Sequence, residues 1–421
     1  MIQSQRLSAQ AVRSTLEGKN LALTLEGIWK KNPSLTQQQR GAVQDISYGV
    51  MRHYGETSFV LDRLVKKRPE NPDVQALLLV FLYQILHTRA PSHAIVNNAV
   101  ESCAKYGTGI RNFINGVLRN LLRQKENLLQ EAAKDLVAKY NYQKWWIEKV
   151  EAQYPQGWKD ILEAGNLKPP MTLRINLSRT SLEQYASMLQ KEEIEFEVLS
   201  DTGIRLQKPM NVEKIPGFAE GMSSVQDFGA QYAAKLIDLR EGMRVLDACA
   251  APGGKSAHML ESCKIDLLSM DSNATRLENV RQNFKRLGLS GKVVEGDATK
   301  EETWWDGIPF QRILADVPCS ASGVTKRHPD IKWLRRAEDI ARFSETQLRI
   351  VETLWKTLEN GGKLLYSTCS IFREENSDLI SRFVDKTRNA SLLALDDNIR
   401  NGQLLPNEQH DGFFYAVLQK I

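Results

Sequence analysis

The sequence predicts a multidomain chain built from an all-α bundle, a small α+β unit and a doubly wound α/β domain, in that order. Three observations predict it. At 421 residues the chain exceeds what one core ordinarily organises. Its first 140 residues are Ala-, Leu- and Gln-rich with helical periodicity and no strand texture. From about Ser224 onward, short apolar runs alternate with amphipathic stretches in a strand–helix–strand rhythm.

In residues 1–140, helical stretches are broken at Asn32-Pro33-Ser34, Pro69-Glu70-Asn71-Pro72, Ala90-Pro91-Ser92 and Tyr106-Gly107-Thr108-Gly109. Val74 to His87 is apolar nearly all round, as the central helix of a bundle should be. Arg111 to Arg123 is expected to close the bundle, with Phe113, Ile114, Val117, Leu118 and Leu121 on its apolar face. Residues 141–223 begin with a Trp-rich helical connector, broken at Lys168-Pro169-Pro170. There follow a strand at Thr172–Asn176, a helix at Leu182–Gln190 and strands at Glu195–Leu199 and Ile204–Leu206. Residues 224–421 should place strands at Arg244–Asp247, Leu267–Asp271 and Lys292–Asp297, then at Ile313–Ala315, Lys363–Tyr366 and Phe413–Leu418. Helices are expected at Ser256–Cys263, Ala274–Leu287 and Ala337–Leu358.

A hydrophobic content of 42% and a charged content of 25% are those of a globular protein. The longest apolar run, Ala76 to Tyr83, is far too short for a membrane span, and Met1–Arg6 lacks a secretory signal's apolar stretch. A cytosolic monomer with no membrane partner is the expectation. Five widely spaced cysteines without a Cys-x-x-Cys argue against a disulfide framework or a zinc site. Six scattered histidines, none paired at helical spacing, give no reason to expect a metal. Residues 1–140 hold 19 Lys and Arg against 11 Asp and Glu, although the chain's net charge is only +5. Such a basic front end suits either an anionic partner such as nucleic acid or a solvated helical surface.

The turn after the first strand of the last domain is Asp247-Ala248-Cys249-Ala250-Ala251-Pro252-Gly253-Gly254-Lys255-Ser256. A phosphate-cradling Walker loop would need glycine where Cys249 stands, and the Gly-x-Gly-x-x-Gly dinucleotide fingerprint is absent. A third reading is S-adenosylmethionine, which has no phosphate but carries a ribose diol, an adenine and a cationic sulfonium. Asp271 is placed to accept the ribose hydroxyls, and Asp297 to accept from the adenine amino group. A lone acid after a strand is usually a cap. Asp247, Asp271, Asp297 and Asp316, at four successive strand ends, favour the methyl donor.

Two thiols follow strands fifty residues apart, in Asp316-Val317-Pro318-Cys319-Ser320 and Thr368-Cys369-Ser370. In an open α/β sheet, ligands gather beyond the carboxyl ends of the strands. Cytosine C5 is a poor nucleophile until a thiolate adds at C6, which breaks the aromaticity and loads electron density onto C5. That chemistry needs a nucleophilic Cys, a carboxylate for the N3/N4 edge and a group that helps release, an inventory that Cys319, Cys369 and Asp316 supply. Small strand-end thiols are also common packing residues, the role expected of Cys103 and Cys263, with Cys249 packing beneath the cofactor loop.

These stretches resemble the RNA cytosine-C5 methyltransferases. The likeness rests on Cys249–Lys255, Asp316–Ser320, Arg327-His328-Pro329-Asp330, Tyr366–Ser370, Glu374-Glu375-Asn376 and Asp411-Gly412-Phe413-Phe414. Val317 stands where Ala or Pro is usual, a small apolar exchange. The resemblance implies a Rossmann-like S-adenosylmethionine-dependent domain, with Cys369 as nucleophile and Cys319 in product release. It also implies cofactor contacts from Cys249, Ala250, Ala251, Pro252, Gly253, Gly254, Lys255, Asp271, Asp297 and Asp316. Ala94–Glu101 and Phe113–Arg119 are similar to the NusB fold of bacterial antitermination factors. Together the two likenesses cover nearly the whole chain and imply a bacterial small-subunit (16S) ribosomal RNA methyltransferase. A tRNA substrate and a non-catalytic RNA-binding assembly factor remain the alternatives. Arg327 to Arg336 suits either RNA beside the active site or a loop packed on its own domain, with Trp333 in the core.

Overall fold

The computed structural model describes residues 1–395, 399 and 401–421. They form two compact units. One comprises Met1–Leu167 with Thr325–Ala337; the other comprises Lys168–Val324 with Glu338–Ile421.

The first unit is helical throughout. Helices run Ile2–Leu16, Leu21–Lys31, Gln37–Arg52, Tyr54–Leu64, Pro72–His87, Ser92–Ser102 and Thr108–Ala132, followed by Leu136–Tyr140, Lys144–Gln153 and Trp158–Ala164. Their starts are written in capping residues. The Asn20 side chain accepts from Leu23 N, Thr36 and Gln39 form a reciprocal capping box, and Asn71 precedes a proline at the first helical position. The predicted central helix begins at Pro72, and Leu77 to Ile85 along it are all buried. Its one deep polar side chain, Gln84, accepts from Gln5 Nε2 at 2.7 Å. The closing helix does not stop at Arg123 but continues to Ala132, because Leu128 and Ala132 carry its buried stripe onward.

Thr325–Ala337 packs within this unit although its sequence neighbours belong to the other. The Asp330 carboxylate accepts from Leu21 N at 3.0 Å and Asn20 Nδ2 at 3.2 Å, capping the second helix from a distance of some three hundred residues in sequence. The buried Lys332 ammonium donates to Arg52 O at 2.9 Å and Asn166 Oδ1 at 2.5 Å, and Arg52 donates to Lys326 O at 2.7 Å. Trp333 Nε1 donates to Met51 O at 2.8 Å while its ring stands edge-on to Tyr54. Asp330, Lys332 and Trp333 are therefore packed, as one expectation had it, but that expectation is corrected in one respect: the segment packs on the helical core and not on its own domain.

The second unit contains two sheets. In the smaller, β1 (Met171–Ile175), β2 (Phe196–Val198), β3 (Gly203–Leu206) and β4 (Ser223–Val225) pair antiparallel in the order β2-β3-β1-β4. The helix Leu182–Lys191, opened by a Ser181/Gln184 capping box, contributes Tyr185 and Leu189 to its core. The larger sheet holds β5 (Arg244–Asp247), β6 (Asp266–Asp271), β7 (Lys292–Glu295), β8 (Phe310–Asp316), β9 (Leu358–Thr368), β10 (Ala390–Leu393) and β12 (Phe413–Lys420). The short β11 (Gln403–Leu404) pairs with β12. Across the sheet the order is β7-β6-β5-β8-β9-β12-β10. β7 through β9 in that order are parallel, and β12 runs antiparallel to both its neighbours. The parallel strands are apolar runs such as Ile313-Leu314-Ala315 because helices cover both faces.

β5 is the switch point. From it the chain first moves outward to β6 and β7, then returns to β8 on its other side. Successive crossovers leave in opposite directions there, so a crevice opens beyond the carboxyl ends of β5 and β8.

Candidate active site

A cavity of about 350 Å³ lies at that crevice. Its lining includes Cys249, Ala251, Asp271, Asp297, Asp316 and both Cys319 and Cys369. The strand-end placement of the acids puts them there. Asp247, Asp271 and Asp316 are the last residues of β5, β6 and β8, while Asp297 lies two residues beyond β7 rather than at its end.

The loop from Ala248 to Gly254 is braced from below. Ala250 N donates to Met270 O at 2.7 Å, Ala251 N to Asp271 Oδ2 at 3.2 Å and Gly253 N to Ala250 O at 2.7 Å. Gly253 has φ +97°, and a Cβ there would press on Val280, so the turn requires glycine. The backbone N–H groups of Ala250, Ala251 and Gly253 are thus engaged within the protein. Of the loop residues expected at the cofactor, Cys249 and Ala251 line the cavity; Ala250, Pro252, Gly253, Gly254 and Lys255 do not.

Lys255 serves another group. Its ammonium lies 2.6 Å from Asp316 Oδ2. Burial opposes its charge, but the Asp316 carboxylate outweighs that and raises the Lys255 pKa. Asp247 is fully enclosed and accepts from Ser256 Oγ at 2.5 Å. Burial lifts its pKa to about 7, the Ser256 bond works against that, and the nearby Asp316 charge adds to it.

Residues present suit S-adenosylmethionine. Asp271 accepts from Ala251 N and Asn273 N, with Arg276 Nη1 3.4 Å from Oδ2, and a carboxylate's four lone-pair sites still leave it room for a diol. Asp297 Oδ1 accepts from Thr299 N and Oγ1, fixing its side chain at the cavity wall. The volume lies within the range of small-ligand pockets, ~300–1,000 Å³.

The two thiols meet at one end of the cavity, Sγ to Sγ 3.4 Å. The hydrogen bond to Cys369, with burial behind it, pushes the Cys319 thiol well up. Cys249 is also raised, by burial and then by Asp247, Asp316 and Asp271 around it. Neither is a thiolate at neutral pH. Cys103 is buried in the helical core, as expected, with its pKa pushed up to about 11.

Both thiols sit on turns fastened to each other. Val317 N donates to Ser367 O, and Gly323 N to Cys369 O at 2.8 Å. Gly412 N closes on Gly323 O, and a Cβ on Gly323 would strike Gly412 O, so glycine is needed at this contact. Beneath them lies Glu375, fully buried. It was legible as part of the Glu374-Glu375-Asn376 stretch, but its partners were not. A signal existed, since each cysteine is followed by serine, and both serines bond this carboxylate. Asn376 fixes the second turn in turn, accepting from Thr368 Oγ1 at 2.6 Å and donating to Ser370 O at 2.9 Å.

In the helical unit, His53 and Glu56, at the start of the helix Tyr54–Leu64, meet His87 from the end of Pro72–His87, so that no sequence spacing pairs the two histidines. His87 Nε2 is 2.5 Å from Glu56 Oε2, and His53 stacks on His87 with ring centroids 3.8 Å apart. Burial, then His87, Lys332 and Arg52, lowers the His53 pKa to about 3. The expectation of scattered histidines is corrected by this cluster.

Comparison with known proteins matches three family models in sequence order. They are the NusB family over residues 2–123, the RsmF/B-like ferredoxin-like domain over 142–213, and 16S rRNA methyltransferase RsmB/F over 234–419. The chain is 40% identical to ribosomal RNA small subunit methyltransferase B of Pseudomonas syringae pv. tomato, over 96% of each chain. It is equally identical to the protein of that name from Vibrio cholerae, over 92% of each. Among solved structures, PH0851 superimposes with a TM-score of 0.83 at 24% identity, over 100% of this chain and 99% of that one. A methyltransferase homolog from Pyrococcus horikoshii gives 0.59 at 25% identity, over 68% and 97%. The described residues include no helix long and apolar enough to cross a membrane. On identity over essentially its whole length, the chain belongs to the ribosomal RNA small subunit methyltransferase B family, whose members are S-adenosylmethionine-dependent RNA methyltransferases.

Proposed function

We propose that the chain methylates C5 of a cytosine in 16S ribosomal RNA through a covalent adduct between Cys369 and cytosine C6. The observation that carries this is the pair of thiols 3.4 Å apart at the end of an acid-lined cavity, with Asp316 beside them. S-adenosylmethionine supplies an electrophilic methyl group when bound, and Asp271 and Asp297 are the side chains that would hold it.

The protein's own residues divide the rest. Cys369, as thiolate, adds to C6, and the C5–C6 π pair moves onto C5. Asp316, held in place by Lys255, accepts from the N4 amino group and steadies the N3/N4 edge. After methylation the C5 proton passes to a base, the C5–H pair re-forms the double bond, and the C6–S bond breaks. Cys319 keeps its proton beside Cys369 and stabilises the departing sulfur by donating to it. A base stacked in a duplex does not expose C6 to a thiolate, so the target must be unpaired or flipped.

The proposed division of labour follows three segments. Residues 1–140, with their basic surplus, dock the RNA. Residues 141–223 connect, and 224–421 catalyse. The reaction draws on side chains of a single copy of the chain.

Incubating the purified protein with methyl-labelled cofactor and either 16S rRNA or tRNA, then mapping 5-methylcytosine, tests the reading. Label at one 16S cytosine, lost in Cys369→Ala, is the expected result. Label confined to tRNA would overturn the substrate, and turnover by Cys369→Ala would overturn the nucleophile.

A further inference from the structure

The Glu375 carboxylate touches neither thiol, yet it is bonded to the residue after each. Oε1 accepts from Ser320 N at 2.7 Å and from Gln347 Nε2 at 3.0 Å. Oε2 accepts from Ser320 Oγ and Ser370 Oγ, both at 2.5 Å. All four donors converge on a group with no solvent exposure. An ionised carboxylate presents about four lone-pair sites, so this one is saturated. Bonds to a buried charge are shorter and stronger than neutral ones, and these lie in the short range.

The surrounding bonds lock the same turns. Ser322 Oγ and Ser370 Oγ are 2.9 Å apart, and Ile371 N donates to Ser322 Oγ at 2.9 Å. Phe372 N donates to Ser370 Oγ at 3.0 Å. Glu375 is itself fixed by its backbone, since Tyr366 Oη donates to Glu375 O at 2.6 Å. Gln347 also donates to Pro318 O, on the residue before Cys319. The two cysteine turns come from strand ends fifty residues apart in sequence, and this carboxylate binds both.

We propose that Glu375 is a positioning residue whose carboxylate sets the separation of Cys319 and Cys369 and so aligns nucleophile and release thiol. It has no contact with the reacting atoms. The role rests on the proposed division of labour between the thiols, but the geometry it predicts is readable without any methylation.

Phenylarsine oxide is a suitable probe. It takes two thiols at once: two As–S bonds form, two S–H bonds break, and the arsenical oxygen leaves as water. Such a bridge needs both sulfurs within reach of one arsenic, as the 3.4 Å separation provides. Wild-type protein should bind one equivalent tightly, and Cys319→Ser should not. Glu375→Ala should weaken arsenical binding about 10-fold and lower kcat about 100-fold, the scale of an ångström-sized misplacement. The KM for S-adenosylmethionine should stay within about threefold, because Asp271 and Asp297 do not depend on the clamp. Arsenical affinity within about twofold of wild type in Glu375→Ala would overturn the proposal. If circular dichroism shows Glu375→Ala unfolded, the double variant Ser320→Ala/Ser370→Ala decides. It keeps the carboxylate but removes the hydroxyl donors, and wild-type arsenical affinity there would equally overturn it. A protein that shows these arsenical effects but methylates no cytosine would refute the proposed reaction and leave the clamp standing.

Discussion

Two buried cations of the helical unit and two buried acids of the catalytic unit solve one problem in mirror-image ways. The helical unit encloses Arg52 and Lys332, whose pKa values burial lowers, and bonds them to acceptors: Lys326 O, Arg52 O and Asn166 Oδ1. The catalytic unit encloses Asp247 and Glu375, whose pKa values burial raises, and bonds them to donors: serine hydroxyls, an amide and a backbone N–H. An unpaired buried charge is costly, so each must find neutral partners of the complementary kind. In the helical unit those partners are two backbone carbonyls and a side-chain amide that tie the 325–337 segment to the helices, and the result is architecture. In the catalytic unit they are groups adjacent to the thiols and to the loop after β5, and the result is geometry at the proposed reacting centre.

The largest effect that tests this contrast is in the helical unit. Trp333→Ala removes an aromatic packed on Tyr54 and the donor to Met51 O. It should destabilise that unit by about 3 kcal/mol, the low end for a large aromatic because Trp333 is half-buried. Hydrogen–deuterium exchange should rise in Gln37–Arg52 and Tyr54–Leu64. Unchanged exchange there would mean that the 325–337 segment does not anchor the unit.

Next comes the pH response of the catalytic unit. Asp247 titrates near 7 when folded and near 3.8 when unfolded. Between those values the folded state holds a proton that the unfolded state has released. Stability from this group is therefore full below pH 3.8 and lost as pH rises through 7, on the order of a few kcal/mol in all. Asp247→Asn should flatten that decline, leaving the part due to Glu375, as read by thermal unfolding from pH 4 to 7.5. An unchanged slope would show Asp247 to be ionised throughout.

The helical unit gives a response of the opposite sign, confined to the surroundings of one histidine. His53 falls to about 3 when folded, from 6.5 unfolded, so its contribution is present above 6.5 and lost as pH drops toward 3. His258 in the catalytic unit, lowered to about 2, shares that sign, so the readout must be local. His53→Gln should reduce the acid-induced rise of exchange in Tyr54–Leu64 and leave the catalytic unit's exchange as it was.

What the sequence disclosed and what it hid follow the range of the interactions. The bundle's breaks were legible because proline, glycine and asparagine act within a turn of themselves, as at Asn71-Pro72. Cys319, Cys369 and the acids Asp271, Asp297 and Asp316 were legible as a group because a parallel sheet delivers strand ends to one crevice. Glu375 was visible in a matched stretch but silent about its work, since its partners lie 5, 28 and 55 residues away. Lys255 read as part of the cofactor loop, yet it turns to Asp316, a choice that only tertiary placement makes. The same holds for Lys332, a basic residue that suited RNA by charge and is buried against Arg52 O and Asn166 Oδ1. Short edge strands such as β10 and β11 carry too few residues for alternation to show.

The central claim is that the paired thiols divide attack from release. Cys319→Ala incubated with S-adenosylmethionine and 16S rRNA, then resolved on a denaturing gel and by mass spectrometry, tests it most directly. A covalent protein–RNA adduct on Cys369, absent from Cys319→Ala/Cys369→Ala, is the predicted result. Adduct-free turnover by Cys319→Ala at the wild-type rate, or an adduct that survives loss of Cys369, would contradict it.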